Sequence, residues 1–330
     1  MNDSKKTGAE VVGHVPFRDR AQRYLLRHPR ISKIVRSWQI YVMLLPVLLG
    51  LIVFSYVPMY GIVIAFKDYL PSKGILGSES VGFKHFEELL SDPFFPRAIR
   101  NTLTISSLNL VFSFPVPIIL SLLLNEFRHA RFKKWIQTAI YLPNFISWVI
   151  IGEFARQLFQ PDGGIVNNII KACGGTPINF LTSSEWFYPI LIILSNWKGS
   201  GYGTIIYLAA LSGIDPNLYE AARIDGASRA RMMWSISVPV ILPIVIVMLL
   251  MQVGNIMNAG FDPIFNLYTK AVYNVADIID TLVYRRGLLE NRYEMSTAVG
   301  LFKNVINFIL LMLANYFSKK ISGYSMYSFE

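Results

Sequence analysis

Three stretches of this 330-residue chain, 38–66, 101–125 and 232–261, hold no Asp, Glu, Lys or Arg and run for 29, 25 and 30 residues. A bilayer core about 30 Å thick takes about 20 helical residues, because hydrocarbon offers backbone N–H and C=O groups no partner outside the helix. Runs of this length exclude a water-soluble domain and specify membrane spans, with Pro46, Pro58 and Pro243 as places to tilt or kink. Three further apolar stretches carry isolated charges: 135–159 holds Glu153 and Arg156, 186–211 holds Lys198, and 295–318 holds Lys303. The pattern predicts an all-α membrane protein with six transmembrane helices at about 38–66, 101–126, 135–159, 186–211, 237–261 and 295–318. They form one domain over 38–320, between a basic tail at 1–37 and a short tail at 321–330.

The distribution of cations tests that layout. Of 31 Lys and Arg, 18 fall in 1–37, 127–134, 212–231 and 319–330, and 10 in 67–100, 160–185 and 262–294. The positive-inside rule places the first set, and with it both termini, in the cytoplasm, as expected for a multi-pass protein of the cytoplasmic (inner) membrane. Trp38, Trp135, Trp186 and Trp234 stand near predicted span ends, where indole rings favour the interface. The net charge of +10 therefore reads as an orientation signal facing membrane lipid. A nucleic-acid partner is not expected, since such a binder gathers its cations on a water-facing domain. Residues 18–38 alternate cations with apolar residues, either as an amphipathic helix on anionic headgroups or as a disordered basic tail. In 160–185, turns flank a short apolar run at 165–170, which predicts a small interfacial helix.

The residues of most enzyme chemistries are missing. Cys173 is the single cysteine, so neither an intrachain disulfide nor a cysteine zinc cage is possible. No G-x-x-x-x-G-K-[ST] phosphate loop and no G-x-S-x-G elbow occur. His14, His28, His85 and His129 lack metal-binding spacing and read as solvated or headgroup residues. No catalytic residue, metal or cofactor is expected in this chain.

One polar loop stands out. Asp215-Pro216 is a helix start, the carboxylate capping orphan N–H groups and the proline needing none. Leu218, Ala221, Ala222 and Ile224 then share one side of a short helix that ends near Gly226, with a second helix starting near Ala227 or Ser228. Glu220-Ala221-Ala222, three residues, Gly226, nine residues, and Ile236 with Pro239 resemble the E-A-A loop, G, I-x-L-P signature of the transmembrane permease subunits of ABC importers. Val238 is the one departure, an apolar residue in place of leucine. Pro161 to Gly164 with Asn167, and Trp197-Lys-Gly-Ser-Gly-Tyr202, resemble the sugar branch of bacterial permeases. Within it the chain is most similar to complex-oligosaccharide permeases, with the importer of the acidic polysaccharide alginate as the narrower match. The resemblance implies that the loop between spans four and five is a coupling helix. Its partners would be two ATPase subunits that bind ATP and Mg, a second permease subunit and an external solute-binding protein. It implies import by alternating access, with hydrolysis carried out by the partners and not by this chain.

Polar groups within the spans are the other candidates. Lys198 and Lys303 lie near mid-span, where a charge costs at least about 2.5 kcal/mol unless it meets water or a partner. Asn196, Gln252, Asn255, Asn258, Asn304 and Asn307 join them. They either line a path for a hydroxyl-rich solute or bond helices and permeases to one another. With no intramembrane carboxylate at similar depth in this chain, Lys198 and Lys303 would favour an acidic solute unless carboxylates of a second permease neutralise them. Arg156 follows Glu153 by three residues, the spacing of a pair on one helix face, and Trp148 and Trp197 either stack on sugar rings or pack. Rival readings are a secondary, ion-coupled transporter, which needs carboxylates at depth and inverted repeats, and a non-transport scaffold or sensor.

Overall fold

The computed structural model describes residues 37–127 and 129–322. The tail helix considered for 18–38 lies almost wholly outside them, as do His14 and His28. Backbone contacts divide the chain into two units, 1–61 and 62–330. In the first, α1 (Trp38–Leu51) runs into a π-helical turn at Ile52–Tyr56, and no side chain in either is buried. An all-apolar helix with every face open needs lipid or protein around it.

In the second unit, the only strands among the described residues are the two-residue pair β1 (Lys67–Asp68) and β2 (Glu79–Ser80). The helices that follow are α2 (Lys84–Ser91), α3 (Phe94–Leu108), α4 (Pro115–Asn125), α5 (Ala130–Tyr141), α6 (Trp148–Phe159) and α7 (Ile165–Ala172). After them come α8 (Ser184–Ser212), α9 (Pro216–Ile224), α10 (Arg229–Met232), α11 (Val238–Gly254), α12 (Phe261–Leu267), α13 (Ile279–Val283) and α14 (Tyr293–Ser322). Among the described residues, four helices are long and apolar enough to cross a membrane: Trp38–Phe66, Phe94–Asn125, Arg229–Gly254 and Tyr293–Lys320. A bent pair, Ala130–Phe145 with Trp148–Phe159, would make a fifth. At 29 residues α8 is about 43 Å long at 1.5 Å per residue, enough to cross, but Asn196, Lys198 and three glycines dilute its middle.

The stretch expected as one span over 135–159 turns through 98° between its two helices. Pro143 sits in a 3-10 turn, Ile146 and Ser147 are extended, and the Ser147 side chain caps α6 by accepting from the Ile150 N–H. Glu153 and Arg156 are therefore on the helix beyond the bend, where they pair at 3.0 Å. The fifth apolar helix also ends early, at Gly254 rather than 261, and Gly260 at φ 94° leads into α12. This places Asn258 outside the helix.

Three helices share one distortion. π turns at Ile52–Tyr56, Asn109–Ser113 and Met233–Ser237 each end two residues before a proline, Pro58, Pro115 and Pro239. Proline lacks the N–H for the carbonyl four residues back and its ring presses on that carbonyl, so the preceding turn widens to i→i+5 bonding. At the centre α8 packs on α4, α5 and α11, while α11 packs on α14. A Cβ at Gly201 would run into the Ile140 carbonyl, so only glycine lets the backbones of α8 and α5 meet this closely.

Candidate functional site

The 213–239 projection is built as its residues dictate. Asp215 caps α9 by accepting from the Asn217 N–H at 3.0 Å, and Pro216 takes the first position. At the other end the Ala227 N–H bonds the Ala222 carbonyl and the Gly226 N–H bonds that of Arg223, a Schellman closure with Gly226 at φ 76°. Ser228 then caps α10, accepting from the Arg231 N–H at 3.3 Å. Glu220, Ala221 and Pro239 are exposed, Ala222 and Ile236 half-buried. Leu218 and Ile224 are 52% and 86% exposed, an apolar face with nothing on it. Tyr219 turns the other way, packing on a cluster with Leu122, Leu211, Ile214 and Ile241. A cavity of about 320 Å³ between this projection and the end of α4 is lined by Glu126, Tyr219, Glu220, Arg223 and Arg229 among others.

Beside the middle of α8, the π turn before α4 and the last turns of α11 lies a second cavity, of about 450 Å³. Asn109 and Ser113 from the π turn, Ser195, Asn196 and Ser200 from α8, and Gln252 and Asn255 from the end of α11 supply its polar groups. Met248 and Met251 supply a soft apolar wall. Gly199 and Gly203 leave room, since neither brings a side chain. The Ser113 hydroxyl donates to the Asn109 side-chain oxygen at 3.2 Å, and the Asn255 amide to the Met251 carbonyl at 3.0 Å, fixing both carboxamides. The lining can thus hydrogen-bond a hydroxyl-rich molecule without presenting a net charge.

Of the sequence-predicted polar set, the cavity gathers Asn196, Gln252 and Asn255 only. Lys198 points to the bend between α5 and α6, donating to the carbonyls of Asn144 at 2.7 Å and Ile146 at 2.5 Å, with the Trp148 ring 6.0 Å away. Trp148 is half-buried in packing and Trp197 is exposed. Lys303 is paired with Asp280 of α13, which overturns the expectation that this chain has no carboxylate at the depth of its lysines. That carboxylate was overlooked because 262–294 reads as a loop outside the spans, whereas α13 packs against α3 and α14. Asn307 is buried and accepts from the Met257 N–H at 3.0 Å, closing the turn after α11, and Asn304 is exposed elsewhere on α14. The sequence reading missed Asn109 and Ser113, although Pro115 two residues on is a legible signal for the wide turn that carries them.

Two other expectations change. His85 is 2% exposed, its Nε2 3.0 Å from the Lys67 carbonyl, so it is a packed residue and not a solvated one; His129 is exposed as expected. The apolar run at 165–170 does form a helix, α7, and its Asn167 is buried, bonding the Gln160 carbonyl and both the N–H and carbonyl of Ile178.

Apolar helices around a polar, uncharged cavity, with a capped polar projection at one end, define a membrane transport subunit. The chain belongs to the family of binding-protein-dependent transport system inner membrane components, whose model matches residues 113–323. It is 46% identical over 319 residues, 97% of this chain and 98% of the other, to the polygalacturonan/rhamnogalacturonan transport system permease protein YteP of Bacillus subtilis strain 168. It is 45% identical to protein LplB of the same organism over 88% of this chain and 91% of that one. Among solved structures, a bacterial ABC transporter involved in the import of the acidic polysaccharide alginate superposes with a TM-score of 0.81 at 40% identity, covering 89% of this chain and all of that chain. A bacterial alginate ABC transporter in complex with an alginate pentasaccharide-bound periplasmic protein matches at 41% identity over 89% of this chain and 99% of that chain, also with a TM-score of 0.81. The resemblance read from the 220–239 signature is thereby borne out: this is an ABC importer permease of the sugar type.

Proposed function

We propose that this chain imports an acidic oligosaccharide across a bacterial inner membrane as one of two paired permeases, served by two ATPase subunits and an external binding protein. The observation that carries this reading is the polar cavity set among the apolar helices α4, α8 and α11. Carboxamides and hydroxyls there exchange hydrogen bonds with successive sugar hydroxyls, and no fixed charge holds the solute too tightly to leave. In this reading α8 completes a six-span set, counting the bent α5–α6 pair as one broken span, and both termini are cytoplasmic. The polyuronates carried by the relatives, polygalacturonan and alginate, support the acidic class.

The 213–239 projection is the coupling element. Its exposed Leu218 and Ile224 face enters a cleft of the ATPase, Glu220 offers a carboxylate to it, and Gly226 sets the angle to α10. Nucleotide-driven closure of two ATPases then moves two such projections, and the cavity opens to alternate sides. ATP and Mg belong to those partners.

The test is uptake into proteoliposomes holding the full complex. Gln252→Ala with Asn196→Ala should lower oligogalacturonate uptake at least tenfold, with the complex assembled and its basal ATP hydrolysis retained. Unchanged uptake would remove the cavity from the path. Glu220→Ala or Gly226→Pro should abolish solute-stimulated hydrolysis, and normal stimulation in both would remove the coupling assignment. Impermeant thiol labelling of Cys173 in sealed cells, with none at a cysteine placed at 217, checks the orientation.

A further inference from the structure

A side-chain hydrogen bond ties α9 to the long helix: the Tyr219 hydroxyl meets the Ser237 hydroxyl at 2.8 Å, 18 residues along the chain. Ser237 is 1% exposed and is the last residue of the π turn Met233–Ser237. A serine this deep in an apolar helix needs a partner, and among the hydrogen bonds of the described residues its partner is a tyrosine from a different helix. The ring of Tyr219 meanwhile packs on the buried cluster of Leu122, Leu211, Ile214 and Ile241, against which Met233, Ile236 and Val238 of the long helix also pack. On the other faces of α9 the large apolar side chains are open, so Tyr219 is where α9 grips the root of the long helix.

That root is a soft point of the helix, one turn before the interior Pro243. Pro239 withdraws an N–H from the ladder and the wide turn before it holds weaker, longer-range bonds, so the helix can pivot or rewind there more easily than in a regular turn. Beyond it, α11 continues past Pro243 to Gly254, and Met248, Met251 and Gln252 in its last turns line the cavity about 17–22 Å away, at 1.5 Å per residue from Ser237. We propose that Tyr219 is a positioning residue for transport: through Ser237 it pins α9 to the π turn, so that displacement of α9 becomes a rotation of α11 and a change at the cavity. The proposal rests on the coupling reading of the projection but names a link of its own.

Tyr219→Phe keeps the ring and removes the bond, and Ser237→Ala removes the other partner. In proteoliposomes with the complete transporter, each should lower solute transported per ATP hydrolysed by about fivefold, the factor of one neutral hydrogen bond, with assembly and basal hydrolysis unchanged. The double variant should be no worse than either single, and Ser237→Thr should transport normally. A merely structural tyrosine would lower yield and basal rate together and leave that ratio alone. Normal ratios in both singles, or losses that add, overturn the proposal. If Glu220→Ala and Gly226→Pro uncouple while Tyr219→Phe does not, only this link falls; if none of them uncouples, the projection is not the coupling element.

Discussion

Beyond the far end of α11, Asp277 is wholly buried and organises everything near it, whereas below the near end α9 stands with most of its surface open. Arg285 clamps Asp277 with two bonds of 2.8 and 2.6 Å, Thr281 donates to it at 2.8 Å, and Arg97 lies 3.7 Å away. Asn101 and Thr102 of α3 bond the Asp277 carbonyl and the Ile279 N–H, stitching α3 to α13. Burial pushes the Arg285 pKa down, but Asp277 more than offsets it and holds the guanidinium above its usual value. Burial, with Tyr273 beside it, also raises the Tyr268 phenol to about 12. A cluster of buried charges has one good arrangement, because any slip strands an ion in a low dielectric. A short helix held by one ring and one neutral hydrogen bond has many. The contrast separates a scaffold end, which must keep its shape, from an end that a partner can take hold of and move.

Asp277→Ala should cost the most, about 3–5 kcal/mol, because it leaves Arg285 half-buried without its carboxylate. It should appear as a large drop in the thermal unfolding midpoint of the detergent-solubilised chain. A loss under about 1 kcal/mol would break the contrast, since the far end would then owe little to its charges. Lys303→Gln should come next. It strands Asp280, which is 23% exposed and so partly screened, and it should lower uptake of acidic and neutral oligosaccharides alike. Selective loss of acidic-solute uptake would instead return Lys303 to the pathway.

Gly226→Ala strains a backbone at φ 76° by about 1–2 kcal/mol. The strain is confined to the exposed turn, so ATP-coupled uptake should fall while the unfolding midpoint stays near that of the parent. A midpoint drop matching that of Asp277→Ala would mean the two ends are equally cemented. Smallest is Lys84→Ala, which removes an exposed 2.9 Å pair with Asp68. The Asp68 hydrogen bond raises the Lys84 pKa above its usual 10.5, so any stabilisation is complete below that value and lost only as pH rises through the higher folded one. No change in midpoint should be found between neutral pH and pH 9.

The apolar helices were legible from charge-free length, and the projection from Asp215-Pro216, Gly226 and the residues between, because caps, prolines and positive-φ glycines act within a few residues of themselves. Half of the candidate site was not. Asn196, Gln252 and Asn255 could be suspected one at a time, but their meeting with Asn109 and Ser113 depends on how α4, α8 and α11 pack. Lys198 and Lys303 misled for the same reason: a lone charge in an apolar stretch announces that it needs a partner without saying which. One found backbone carbonyls 52 and 54 residues back, the other a carboxylate 23 residues back in what reads as a loop.

By itself the sequence determined the solvent, the helices and the family, since each follows from local pattern: how long the chain goes without charge, where cations collect, and which residues stand in register from Glu220 to Pro239. Only the tertiary structure decided that the third apolar stretch bends by 98°, that the fifth stops at Gly254, and which polar residues face one cavity. The physical reason is that desolvation is set by neighbours distant in sequence. In hydrocarbon every buried polar group must find a bond, and the packing of helices, not the pattern along any one of them, determines what is within reach.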